Sequence, residues 1–124
     1  MRTNIGDLSK GEWEIMRLCW EKGKSSAKVI FEESLKTKNR KYNTIRTILE
    51  RLVKKGYLES EMFGPIWLYT PIKNEKTATS RAMNDFIKTV LNDTVAPIFI
   101  HIVNKKKYKE EIKELKQLLN DIED

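Results

Sequence analysis

The sequence predicts a mainly α chain: three short helices, one β-hairpin, then a further run of helices. Three observations carry this. The apolar residues of 43–55 recur at helical spacing. Directly after Gly56 the period changes to a strand-like alternation around a Phe63-Gly64-Pro65 turn. From Asn74 onward the helical stripes return.

The first helix opens at Ser9 and Glu12, the S-x-x-E box of a helix start, with Leu8 in the apolar staple position before it. It runs through Trp13, Ile15, Met16, Leu18, Cys19 and Trp20 and stops at Gly23. More than half its circumference is apolar, so it is expected to pack against several neighbours. Trp13 and Trp20 read as core in that setting, although such rings can also stack on bases. Cys19 reads as a small buried hydrophobe. A second helix starts at Ser25 or Ser26 and is expected to reach about Lys38, with Val29, Ile30 and Leu35 inward. A short basic connection, Asn39 to Tyr42, leads to the third.

The third helix, 43–55, places Ile45, Ile48, Leu49, Leu52 and Val53 within an arc of roughly 140°. Its outward face carries Asn43, Thr47, Glu50, Arg51 and Lys54, with Thr44 and Arg46 on the flanks. Gly56 follows, where a helix often ends in the left-handed conformation open to glycine. The chain's formal net charge is +6, and residues 36–55 alone hold eight Lys or Arg against one acid, Glu50. The remainder of the 124 residues therefore sums to −1. A local excess of this kind suits a polyanion, nucleic acid or an anionic membrane surface; a solvated basic face is the bland alternative.

Tyr57 to Met62 and Ile66 to Thr70 form the hairpin, closed by Pro71. Three helices followed by a hairpin make a winged helix-turn-helix, and the most basic helix is the one directly before the wing. Beyond it, Ala78, Ala82, Met83, Phe86, Ile87, Val90 and Leu91 form one stripe. The run from Val95 to Val103 includes Ile98, Phe99 and Ile102, with Pro97 suited to a first helical turn. Ile112, Leu115, Leu118, Leu119 and Ile122 line a last amphipathic helix. Such helices have few places to hide their stripes within one chain. The expectation is a winged-helix domain over 1–72 and a helical dimerisation region over 73–124. Met83, Phe86, Ile87, Val90, Leu91, Ile98, Phe99, Ile102, Leu115, Leu118 and Leu119 would form the dimer contact. The alternative is that these helices fold back onto the winged helix.

No catalytic set emerges. His101 is the only histidine and lies in an apolar run, Cys19 is the only cysteine, and the five glycines are scattered at turns. The expectation is therefore no enzyme, no metal and no cofactor. No apolar run approaches the length of a membrane span, so no membrane insertion and a cytoplasmic location are expected.

Several segments resemble the penicillinase-repressor family, the BlaI/MecI/CopY winged-helix transcriptional regulators. Leu8-Ser9, Glu12-Trp13-Glu14 and Leu18-Cys19-Trp20-Glu21-Lys22-Gly23 resemble its opening helix. Thr44 to Leu49, Arg51-Leu52 and Lys54-Lys55-Gly56 resemble its recognition helix, and Leu68-Tyr69-Thr70-Pro71 its second wing strand. The resemblance implies a homodimeric repressor on a palindromic double-stranded operator, held together by its C-terminal helices and controlling β-lactam or other stress-response genes. It also implies a membrane sensor protease as inducer.

Four departures from the family pattern are visible. Lys41-Tyr42 replace the usual Ser-Pro start of the recognition helix, leaving Asn43 as the expected cap. Pro65 stands after Gly64 where a basic wing residue is common. His101-Ile102 occupy the place of the Asn-Phe bond cleaved on induction. The cysteine cluster of the copper-responsive branch is missing.

On this reading Arg46 and Arg51 donate to guanine or phosphate, Asn43 pairs with adenine, and Thr44 and Thr47 meet a base edge or a thymine methyl. Arg40, Lys41, Lys54 and Lys55 touch phosphates, and Tyr42 completes the DNA-facing set. Arg51 has a structural alternative, an ion pair with an acid of the second helix. The competing function is a winged-helix protein-interaction or scaffold module without sequence-specific DNA binding.

Overall fold

The computed structural model describes residues 4–122. Its contacts divide the chain into two compact units, one up to Asp85 and one from Phe86. The division falls inside a helix, Glu75–Thr89.

The first unit opens with a two-stranded ribbon, β1 (Asn4–Ile5) and β2 (Leu8–Ser9), which the residue pattern does not announce. Helix α1 (Lys10–Lys22) follows with a complete capping box: Ser9 Oγ accepts from the Glu12 N–H, and Glu12 Oε1 accepts from the Ser9 N–H at 2.8 Å. Gly23 ends it at φ +74°, a left-handed conformation that suits glycine. Strand β3 (Ser25–Ser26) and helix α2 (Ala27–Ser34) come next, Ser26 capping α2 through Val29.

Helix α2 is shorter than its pattern suggests. Ser34 is buried and its hydroxyl donates to the Phe31 carbonyl, and the chain continues to Lys38 as a tight turn. Ala27, Ile30 and Ser34 face the core, whereas Val29 and Leu35, expected inward, are exposed. Helix α3 (Tyr42–Lys54) buries Ile45, Ile48, Leu49 and Leu52, with Val53 half-buried against them.

Strands β4 (Leu58–Phe63) and β5 (Ile66–Pro71) form the wing, with β3 added on the outer side of β5 to give the order β3-β5-β4. Phe63 pairs with Ile66 across a two-residue turn. Gly64 has φ +60°, and Pro65 cannot adopt a positive φ, so the turn has the II′ form that matches hairpin twist. Leu58 and Tyr69 lie on the core side of the sheet and are buried.

Trp13 and Trp20 pack together against this core, ring centroids 6.2 Å apart. Their Nε1–H groups donate to the carbonyls of Ile5 and Lys73, each at 2.8 Å, which fixes both as structural residues. Burial pushes the Cys19 thiol up to about 12, as befits an inert core residue. Helix α4 (Glu75–Thr89) begins in this unit, with Ala78 and Ala82 buried.

The second unit holds the end of α4, helix α5 (Ala96–Val103), a 3₁₀ turn (Lys106–Tyr108) and helix α6 (Lys109–Ile122). Pro97 lies in the first turn of α5. No described residue from 86 onward is buried. Phe86, Val90, Phe99, Leu115, Leu118 and Leu119 are exposed, and Ile87, Leu91, Ile98 and Ile102 are half-buried. Among the described residues no helix is long and apolar enough to cross a membrane.

Gly6 joins the ribbon to α4. It has φ +64°, and a methyl group there would come within 3.3 Å of Ala82. Gly6→Ala therefore combines backbone strain with an over-tight contact and is expected to cost about 1–3 kcal/mol. A thermal melt should show a fall of several degrees, whereas Gly11→Ala, which meets only Ile48 at an ordinary 3.9 Å, should not.

Candidate nucleic-acid interface

Helix α3 is the centre of the site. Opposite its buried stripe, Asn43, Thr47, Glu50 and Lys54 lie together in solvent, with Arg46 and Thr44 exposed on either flank. Thr47 Oγ1 donates to the Asn43 carbonyl at 2.9 Å, which leaves its hydroxyl oxygen able to accept. Arg51 is half-buried, and among the described residues it makes no ion pair, with helix α2 or elsewhere.

The start of the helix is held differently from the expectation. Lys41 occupies the N-cap position without a side-chain cap, and Asn43 lies within the first turn. The Tyr42 ring instead packs edge-on against Phe31 of α2, centroids 5.6 Å apart and nearly perpendicular. Tyr42 keeps 40 % of its surface exposed, so the same side chain that fixes the helix entry is also presented to solvent.

Two of the expected phosphate contacts turn inward. Arg40 pairs with Glu14 of α1, and its side chain is only 10 % exposed. Lys55 Nζ reaches Glu12 Oε1 at 2.7 Å and the Asp7 carbonyl at 2.9 Å. Glu12 itself is 1 % exposed. Burial pushes its carboxyl up, but the hydrogen bonds from Lys55 and Ser9 outweigh this and hold it below the ordinary 4.5. Glu14 is likewise lowered, chiefly by Arg40. These two cations tie the entry and exit of α3 to α1. Lys41, Arg46 and Lys54 remain exposed around the outward face.

The wing adds features that sequence reasoning did not find. Residues 57–72 carry two acids, Glu59 and Glu61, and no cation. Glu61 pairs with Lys24. The tip presents Met62, Phe63, Ile66 and Trp67 instead, all exposed. Tyr69, 2 % exposed, donates from its hydroxyl to Glu50 Oε1 at 2.7 Å and so joins the wing to α3. The only sequence signal for that bond was an acid on an otherwise basic face.

A profile of the penicillinase repressor family matches residues 8–121. The chain belongs to this family. It is 31 % identical over 121 residues to the methicillin resistance regulatory protein MecI of Staphylococcus aureus (strain N315), covering 97 % of this chain and 98 % of that one. It is 30 % identical over 118 residues to the penicillinase repressor of Bacillus licheniformis, covering 94 % and 92 %. Among solved structures it resembles monomeric Bacillus licheniformis BlaI in complex with the blaP half-operator. That match has a TM-score of 0.50 and 33 % identity, over 59 % of this chain and 89 % of that one. The fold of this family member is accordingly a winged helix followed by C-terminal helices.

The inward and outward cations are separable by experiment. Lys54→Ala should reduce the slope of log DNA affinity against log salt by about one for each copy of α3 bound. Lys55→Met should leave that slope unchanged and cost about 1–3 kcal/mol of stability by stranding a buried carboxylate. The folded-state pKa of Glu12 lies below its ordinary value, so its contribution is fully present above about 4.5 and is lost as pH falls through that region. In Lys55→Met burial acts with less opposition, the Glu12 carboxyl rises, and acid unfolding followed by circular dichroism should begin at higher pH.

Proposed function

We propose that this chain is a homodimeric, cytoplasmic transcriptional repressor that occludes a promoter by binding a palindromic operator, with one α3 in each half-site's major groove. The observation that carries the reading is α3 itself: its inner stripe is sealed in the core, and its outer face offers base-reading and phosphate-binding side chains in one arc. The BlaI half-operator complex supports duplex DNA as the partner.

In this arrangement Arg46 and Arg51 donate to guanine or phosphate, Asn43 pairs with adenine, and Thr44 and Thr47 approach a base edge or a thymine methyl. Lys41 and Lys54 neutralise phosphates and set the register. Tyr42 sits at the groove entrance. Arg40 and Lys55 hold the helix at the correct angle from behind.

The dimer reading rests on the second unit. A segment with no buried residue among those described, and a long series of exposed Phe, Ile, Val and Leu, lacks a core of its own. A second copy would supply the missing apolar partner. Residues 1–72 then bind DNA and 73–124 carry the dimer contact. The relatives' names, a methicillin resistance regulator and a penicillinase repressor, support β-lactam-response genes as targets, with other stress-response genes as the wider class. Induction by a membrane sensor protease would act on α5, where His101 is exposed and Ile102 half-buried. That bond lies within a helix, so cleavage requires local unwinding of α5.

Two experiments test the reading. Arg46→Ala should weaken operator binding by about 1–3 kcal/mol and random-duplex binding by much less. Equal losses on both would assign Arg46 to phosphate alone, and no measurable affinity of the parent chain for DNA at low salt would favour the scaffold reading. Phe99→Lys combined with Leu118→Lys should give monomers by light scattering, together with weakened binding to the full palindrome. A variant that stays dimeric would remove these helices from the contact.

A further inference from the structure

We propose that Glu50 is a specificity-determining residue of α3, held by Tyr69 so that its second carboxylate oxygen accepts a hydrogen bond from the N4 amine of a cytosine. The inference rests on the reading that α3 occupies a major groove.

Glu50 is the one acid among nine charged residues between 36 and 55, and it stands on the outward arc with Asn43, Thr47 and Lys54. A carboxylate there is repelled by phosphates. Arg46, four residues earlier, is the obvious neutralising partner on the same helix. Among the described residues the two do not pair. Tyr69 takes Glu50 Oε1 instead, from a ring that is 2 % exposed and seated in the sheet. The carboxylate is thus fixed from the protein side while Arg46 is left to act outward.

Burial, reinforced by Glu50, pushes the Tyr69 hydroxyl up to about 12, so it stays a donor under any condition of DNA binding. Among the described residues Tyr69 is the sole hydrogen-bond partner of the Glu50 side chain. Its other oxygen is therefore available to a ligand.

An ionised carboxylate only accepts, which selects for a donor on the opposing surface. The major groove offers two base amines, cytosine N4 and adenine N6. Adenine places its N7 acceptor beside N6, which repels a second acceptor. The cytosine edge has no acceptor of its own next to N4, so a carboxylate is matched to cytosine. Preorganisation by Tyr69 removes the freedom that a glutamate on an exposed face would otherwise lose on binding.

The test is selection of bound sequences from a randomised duplex pool by the full-length parent chain, Glu50→Gln and Tyr69→Phe, at one fixed salt concentration. The parent should enrich a palindrome with cytosine at one symmetric position of each half-site. Glu50→Gln should lose about fivefold or more of that preference, or exchange it for adenine, while the other positions keep theirs. Tyr69→Phe, which retains the ring in the core, should blur the same position and no other. Matching thermal melts would show that both variants fold. A Glu50→Gln profile identical to the parent's at every position would overturn the proposal and leave the DNA reading intact. A parent chain that enriches no sequence would overturn the DNA reading itself.

Discussion

Glu12 has almost no contact with solvent, yet the two helices that matter most for the site are joined through it. Its Oε1 accepts from the Ser9 N–H, which completes the cap of α1, and from Lys55 Nζ just beyond the end of α3. Among the described residues its Oε2 has no hydrogen-bond partner. A carboxylate in this position is tolerated only while its partners are in place, because burial acts against its charge. Lys55 also holds the Asp7 carbonyl, and the Asp7 side chain accepts from the Tyr57 hydroxyl and lies 3.7 Å from Arg81. The end of α3, the N-terminal ribbon, the base of the wing and helix α4 therefore share one polar junction. Displacement of any one would expose or strand charge in the others.

This junction explains why the cations of 36–55 are not a uniform surface. Arg40 and Lys55 flank α3 in sequence and both turn toward acids of α1, Glu14 and Glu12. The remaining cations are distributed along the exposed face and its margins. An electrostatic patch built only of outward lysines would attract a polyanion without fixing the helix that reads it. Dividing the charges leaves the same stretch with an exposed basic face and a fixed attachment to α1. The wing follows a related logic. With two acids and no cation it adds little attraction of its own, but through Tyr69 it orients a residue of α3.

Local pattern made much of this fold legible. The capping box at Ser9, the stop at Gly23, the stripe of α3, the hairpin and the C-terminal stripes are all written in residues a few positions apart. What was not legible depends on partners distant in sequence. Arg40 and Glu14 are 26 residues apart, Lys55 and Glu12 are 43, and nothing in the spacing of either pair announces contact. Ser25–Ser26 reads as a helix cap because Ser26 is one, while its pairing with Leu68–Tyr69 as a third strand is set by the tertiary fold. Val29 and Leu35 are exposed and not inward because an eight-residue helix offers too few turns for periodicity to fix its inner face. Tyr42 replaces a missing cap by ring packing, a solution visible only once Phe31 is placed beside it.

The two units differ in how completely they satisfy themselves. Up to Asp85 the chain closes its own core, with aliphatic side chains of α1, α2 and α3 fully buried and the tryptophan N–H groups bonded. From Phe86 on, the helices form but no described residue is fully buried. Isolated helices of eight and fourteen residues are marginal in water, so such a segment gains most of its order from whatever covers it. If that cover is a second copy, folding of the C-terminal helices and pairing of the DNA-binding units are one equilibrium. Any event that breaks α5, whose mean composition is the most apolar of the chain, then weakens operator binding without touching α3. A repressor organised in this way can be switched off by damage at a site chemically unrelated to DNA, because affinity for a palindrome depends on two tethered reading heads.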